Sequence, residues 1–130
     1  MEKKYNYKNL EAYKESKTLV KMVYGLLRGF PREEQYALCD QLRRAVISIP
    51  SNLAEGSGRT SAKDQAHFIE MSYGSPMETD CQIDIAYELG YISALDLESV
   101  SKQVDRVATL LSGLRNKAMA LAKTSNSLIP

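Results

Sequence analysis

Between Leu97 and Leu121 an apolar side chain recurs at alternating spacings of three and four, through Val100, Val104, Val107, Leu111, Leu114 and Ala118. That period holds one seam of a helix against a partner helix, whereas a half-buried strand would alternate every second residue. A second stretch follows the same logic with Leu38, Leu42, Ala45 and Ile49, and Cys39, Val46 and Leu53 add a strip beside it. A third, carrying Leu19, Val20, Met22, Val23, Tyr24, Leu26 and Leu27, is apolar almost all round. That is more than one monomeric core absorbs, so it predicts a homo-oligomer.

Local signals divide the chain into four helices, at about 9–28, 32–57, 61–89 and 95–122. Phe30-Pro31 closes the first, since a residue before proline is pushed out of the α region. Gly56 and Gly58 close the second by adopting positive φ. Ser61 opens the third as an N-cap, with Asp64 in its first turn, and Gly90 stops it. After the fourth, TSNSLIP is expected to fray. At 130 residues the chain is the size of one domain, and Val, Ile and Thr never gather into strand-like runs. The expected fold is all-α, an antiparallel up-down-up-down four-helix bundle spanning residues 1–130.

No stretch approaches a membrane span and MEKKYNYKNLEAYK lacks the apolar core of a secretion signal, so a cytoplasmic location is expected. Cys39 and Cys81 form no CxxC pair and read as small buried side chains in a reducing compartment. The net charge is only +1, so overall charge does not argue for nucleic acid. Its arrangement does: residues 1–31 hold seven basic and three acidic side chains, and residues 60–92 hold one basic, Lys63, against six acidic. In the expected bundle Lys3, Lys4, Lys8, Arg59, Lys63, Arg115, Lys117 and Lys123 collect at one end, where they form a candidate phosphate-backbone contact.

Catalytic and metal chemistry find little support. A ferritin-type di-iron site needs two Glu-x-x-His motifs, and the single histidine, His67, sits in HFIE, which reverses the order. EGSGRT lacks the Gly-Lys-Ser/Thr ending of a phosphate loop and follows a helix instead of a strand. YGSPM lacks the second glycine of a nucleophile elbow. No catalytic residue, metal ligand or cofactor is assigned.

Two prolines fall inside helices. Pro50 removes the N–H that would bond the Val46 carbonyl and should kink its helix, and Pro76 imposes the same defect on the next. Ser48 and Ser75 precede them closely. A turn centred near residue 59 or 60 sets Asn52 near His67, and Arg43 or Arg44 near Ser75 and Glu78. A polar contact from Asn52 to the third helix and an ion pair from one of the arginines to Glu78 are therefore expected.

The run QLRRAVISIPSNLAEGSGR, preceded by FPREEQYALCDQ and followed by FIEMSYGSPMETDCQIDIAYELGYI, resembles the four-helix proteins encoded in intervening sequences of bacterial 23S ribosomal RNA genes. The most specific matches lie from Phe30 to Gly56 and from Gly74 to Glu78, with Arg43, Arg44, Ser48, Pro50, Asn52, Glu55, Gly56, Ser75 and Glu78 as signature positions. The resemblance implies an up-down bundle and a homopentameric barrel. It also implies kinship with the accessory protein of diversity-generating retroelements, which binds nucleic acid through a basic surface. Two functions follow: a non-catalytic, homo-oligomeric accessory protein that binds RNA or DNA, or an assembly or adaptor module that engages another protein without touching nucleic acid.

Overall fold

A computed structural model describes residues 6–128. Among them the chain is all-α, as expected, with helices α1 (Glu11–Leu27), α2 (Leu38–Ser57), α3 (Ala62–Glu88) and α4 (Ala94–Leu128). Short 3-10 turns over Asn6–Asn9 and Arg32–Glu34 precede α1 and α2. Each helix packs on its neighbours in chain order, and α4 closes the set against α1.

Helix α1 buries Ala12, Ser16, Leu19, Val23 and Leu27, spaced three and four apart. Its only buried polar side chain, Ser16, donates to the Tyr13 carbonyl at 2.7 Å and so carries no unpaired hydroxyl into the core. The rest of its apolar second half is largely absorbed too: Val20, Met22 and Leu26 pack against the core, and only Tyr24, at 39% exposure, stands out. The apolar surplus expected on α1 lies elsewhere, on α3, where Met71, Met77, Ile85 and Leu89 are 44 to 53% exposed.

The expectation that the second helix begins at residue 32 is corrected. Pro31 leads into a single 3-10 turn, and Ala37, at φ −121° and ψ −99°, separates that turn from α2. The detour satisfies the end of α1, whose last carbonyls have no partner within the helix. The Gln35 amide donates to the Leu27 and Phe30 carbonyls at 3.4 and 3.5 Å, and Arg43 braces Gln35 with 3.0 Å bonds to its carbonyl and side-chain oxygens.

Ser61 caps α3 as expected, its hydroxyl accepting from the Asp64 N–H at 3.0 Å. At the other end Gly90 has φ +80°, and the Tyr91 and Gly90 N–H groups bond back to the Ala86 and Tyr87 carbonyls, the paired bonds of a Schellman stop. Gly56 and Gly58, by contrast, do not adopt positive φ. Gly56 is needed for closeness: a Cβ there would lie 2.9 Å from the Phe68 Cβ of α3.

In α4 the apolar seam holds from Val100 through Val104 and Val107 to Leu111, all buried. Beyond that Ala122 takes the buried position, and Leu121 is 56% exposed. A straight helix drifts about 20° per heptad against a 3.5-residue repeat, which is enough to hand the seam on by one residue. The expected fraying after Ala122 is also corrected, since α4 continues to Leu128. No glycine or proline lies between Gly113 and Pro130 to break it.

Glycine substitutions separate these effects. Gly25→Ala, in the body of α1 with nothing within 4 Å of the added Cβ, is expected to stabilise by about 0.5–1 kcal/mol. Gly56→Ala carries the same propensity gain but drives Phe68 away, and a net loss of about 1–2 kcal/mol is expected from denaturant unfolding.

Candidate nucleic-acid interface

Four segments that carry or flank the expected basic residues meet at one end of the helices. A cleft of about 250 Å³ is lined jointly by Tyr7 before α1, Leu53 and Ser57 of α2, Gln65 of α3 and Leu114 of α4. Lys117 lines a neighbouring groove with Leu10 and Glu11. Lys8, Arg59, Lys63 and Lys117 belong to these converging segments. Lys123 follows on α4, exposed. Lys3 and Lys4 lie outside the described residues.

The two arginines of this set are held in place. Arg59 pairs with Glu55 at 3.3 Å, and its guanidinium lies 4.6 Å over the Phe68 ring. The Gln65 side chain donates to the Arg59 carbonyl at 2.7 Å and so fixes the turn that carries it. Arg115 lies 4.1 Å over the Tyr73 ring with Glu70 at 3.9 Å, which stitches α4 to α3. Stacked guanidinium groups keep their charge while losing freedom, so Arg59 and Arg115 are the positioned cations of the set. Lys8, Lys63, Lys117 and Lys123 are exposed and form no ion pair with a described residue.

Of the signature positions, Ser48, Gly56 and Ser75 lie in the seam between α2 and α3. Ser72 of α3, fully buried, donates to the Ile49 carbonyl of α2 at 2.8 Å. Ser48 and Ser75 share a hydroxyl hydrogen bond across the same seam, and Gln82 reaches Gln41 at 3.5 Å. Around Pro50 the α2 backbone is supported by side chains: Ser48 donates to the Ala45 carbonyl at 2.7 Å and Asn52 to the Ser48 carbonyl at 2.9 Å. Helix α2 runs through Pro50, and α3 through Pro76, without interruption.

Two expectations are corrected here. Asn52 bonds within its own helix, and its place in the interhelical contact is taken by Ser72 with Ser75. Neither arginine pairs with Glu78: Arg43 turns to Asp40 at 2.8 Å, Arg44 is exposed, and Glu78 instead accepts from Gln82 at 3.3 Å. Register moves Asn52 off His67: the observed pairs centre near Ser61, so α3 is displaced by about one helical turn from the symmetric hairpin assumed for residues 59 and 60. Facing direction separates the arginines from Glu78: Arg44 and Glu78 both lie exposed, and Arg43 is held by Asp40 and Gln35. His67, expected near Asn52, is exposed and set edge-on to Phe68 at 5.7 Å.

The family model of the 23S rRNA-intervening sequence protein matches residues 8–113, which include this seam together with Lys8, Arg59 and Lys63 of the basic set. The chain belongs to that family. A crystal structure of a protein of unknown function from the S23 ribosomal protein family of Bacteroides thetaiotaomicron is similar in fold, with a TM-score of 0.73 at 17% identity, covering 80% of this chain and 97% of its own. No curated protein matches the chain.

Elsewhere this 23S rRNA-intervening sequence family protein concentrates acids on α3, while Lys17 and Lys21 of α1 lie exposed. No group of three or more His, Cys, Asp or Glu among the described residues is placed to hold a metal, and no helix among them is long and apolar enough to cross a membrane. Cys39 is buried and burial pushes its thiol pKa up, whereas Cys81, expected to be buried, is exposed. It falls on the outer side of α3, between Met77 and Ile85.

Contacts that no local pattern foretold join α1 to α4. Glu15 accepts from the Gln103 amide at 3.0 Å and pairs with Arg106 at 2.9 Å, and the Gln103 bond above all lowers its pKa. Asp80 is the reverse case: partial burial, then Asp105 of α4 and Asp84, raise its pKa. Asp80 thus holds its proton more tightly folded than unfolded. Its protonated form favours the fold fully below the ordinary aspartate value, and that contribution is lost as pH rises through the raised one. Asp80→Asn is expected to raise the melting temperature at neutral pH and to change nothing below about pH 3, as followed by circular dichroism.

Proposed function

We propose that this protein is a non-catalytic, homo-oligomeric accessory protein of the cytoplasm that binds nucleic acid, RNA or DNA, through its basic end. The observation that supports this reading is that the segments carrying Lys8, Arg59, Lys63 and Lys117 converge on one cleft and its neighbouring groove, with Lys123 following on α4 and acids concentrated on α3. Exposed lysines not committed to ion pairs are the groups that release counterions when they meet phosphates. With a net charge of +1 a single copy is a weak polyanion ligand. Repetition around a ring, a pentamer by family resemblance, raises avidity without new contacts, because each further patch binds at high effective concentration.

A second reading, an assembly or adaptor module without nucleic-acid contact, is favoured by the exposed Met77, Ile85 and Leu89 of α3. Salt separates the two. For the first, binding of a labelled single-stranded RNA or DNA falls steeply with ionic strength. Lys117→Ala with Lys123→Ala lowers the slope of log K against log salt by about 1.4 per patch engaged, since each lost single-strand contact removes about 0.7. Absence of binding at low salt, with the native helix content intact, overturns it.

A further inference from the structure

Two surfaces outside the basic end remain apolar and uncovered, and they are opposite in charge. On α3, Met77, Cys81, Ile85 and Leu89 recur every fourth residue and are all exposed. Glu78, Asp80, Asp84 and Glu88, exposed on the same helix, rim them, and Lys63 is the only lysine or arginine in α3. Between α1 and α2 lies a groove of about 380 Å³ floored by Val20, Ile47, Pro50 and Ala54. Its rim is basic: Lys17 and Lys21 line it, and Lys17 is held 4.9 Å over the Tyr13 ring.

We propose that the acidic-rimmed apolar stripe of α3 seats in the lysine-rimmed α1/α2 groove of a second copy of this chain. The proposal rests on the homo-oligomeric part of the reading above and names its interface. Stripe against stripe would set acids against acids, and groove against groove would set lysines against lysines. Like-charge juxtaposition disfavours both symmetric pairings, while the mixed pairing buries apolar surface under opposite charges. The raised pKa of Asp80 is in keeping with this, because an acidic face with no cation of its own is relieved by one brought from outside. A contact between different surfaces leaves one of each unused, so it propagates head to tail, as a ring where the rotation per step closes and as an open filament where it does not.

Charge reversal tests the pairing. Lys17→Glu with Lys21→Glu, and separately Asp80→Lys with Asp84→Lys, are each expected to reduce the native mass to that of a single chain with helix content unchanged. Mixing the two variants is expected to restore association in strict alternation, because each altered face meets its opposite only on the other variant; an odd-membered ring cannot alternate, so the restored particles hold even numbers of chains. As an arm that leaves every charge in place, Ser51→Cys in the groove is expected to form an intermolecular disulfide with the exposed Cys81 under mild oxidation, giving a ladder of cross-linked chains. The wild-type chain, with Cys81 alone exposed, is expected to give none. An oligomeric wild type whose mass survives both reversals, or which yields no ladder with Ser51→Cys, overturns this interface and leaves the oligomer standing. A Cys81–Cys81 dimer indicates the symmetric pairing and overturns it likewise. A monomeric wild type overturns both the interface and the homo-oligomeric reading.

Discussion

The seam between α2 and α3 is the constraint from which the rest of the structure follows. Its closeness rests on small groups: Gly56 meets Phe68 with no room for a methyl, and Ser48, Ser72, Ser75 and Thr79 occupy positions where larger side chains would hold the helices apart. Small polar residues carry hydroxyls inside with them, and each is answered. Thr79 donates to the Ser75 carbonyl at 3.0 Å, Ser72 to the Ile49 carbonyl at 2.8 Å, and Ser48 is bonded to both Ala45 and Ser75. A slip of one turn would separate Ser72 from Ile49 and leave a buried hydroxyl unpaired, at a cost of about 1–3 kcal/mol. Apolar packing alone would tolerate neighbouring registers far more readily.

That register sets the surfaces. With its small polar residues turned inward beside Ile83, α3 leaves Met71, Met77 and Ile85 exposed, and Leu89 just past its end is exposed as well. The same rotation brings Tyr73 under Arg115 and Phe68 under Arg59, so the basic end is stiffened by the helix that carries the acidic stripe. At the other end of α3, Tyr91 donates to Glu34 at 2.8 Å and stacks obliquely on Phe30, which ties the Gly90 stop to the turn before α2.

What was legible in the sequence was what repeats locally. The α4 seam from Val100 to Leu111, the Ser61 cap and the Gly90 stop each rest on spacings within a few residues, and each stands in the structure. Helix registry does not repeat. The displacement of α3 by about one turn took position 52 off His67, whereas the direction each side chain faces, not register, parted the arginines from Glu78. Ser72 could have been suspected only as a small polar residue three positions before Ser75, a signal shared with any solvent-facing serine. The Glu15 contacts to Gln103 and Arg106 join positions 88 and 91 residues apart, and no pattern in either helix points to the other. The basic end was legible as a set of charges, while the arginines' commitment to Phe68 and Tyr73 depended on three-dimensional placement.

Helix lengths complete the relation between scaffold and surface. At about 1.5 Å per residue, the 35 residues of α4 span roughly 52 Å, twice the length of the 17-residue α1. Because Leu110 and Leu114 lie beside Leu10 and Ala12, the last turns of α4 continue past the start of α1. Lys117 begins that extension and Lys123 lies on it, with Met119 and Leu121 more than half exposed beside them. An extension that carries lysines can follow a curved polyanion backbone more freely than a flat bundle end. The stripe of α3 and the groove of α1 and α2 lie along the bundle body, so assembly through them would leave the basic extension uncovered. Rigid body and projecting cations are thus separated along a single chain by one choice, the burial of small polar residues in α3.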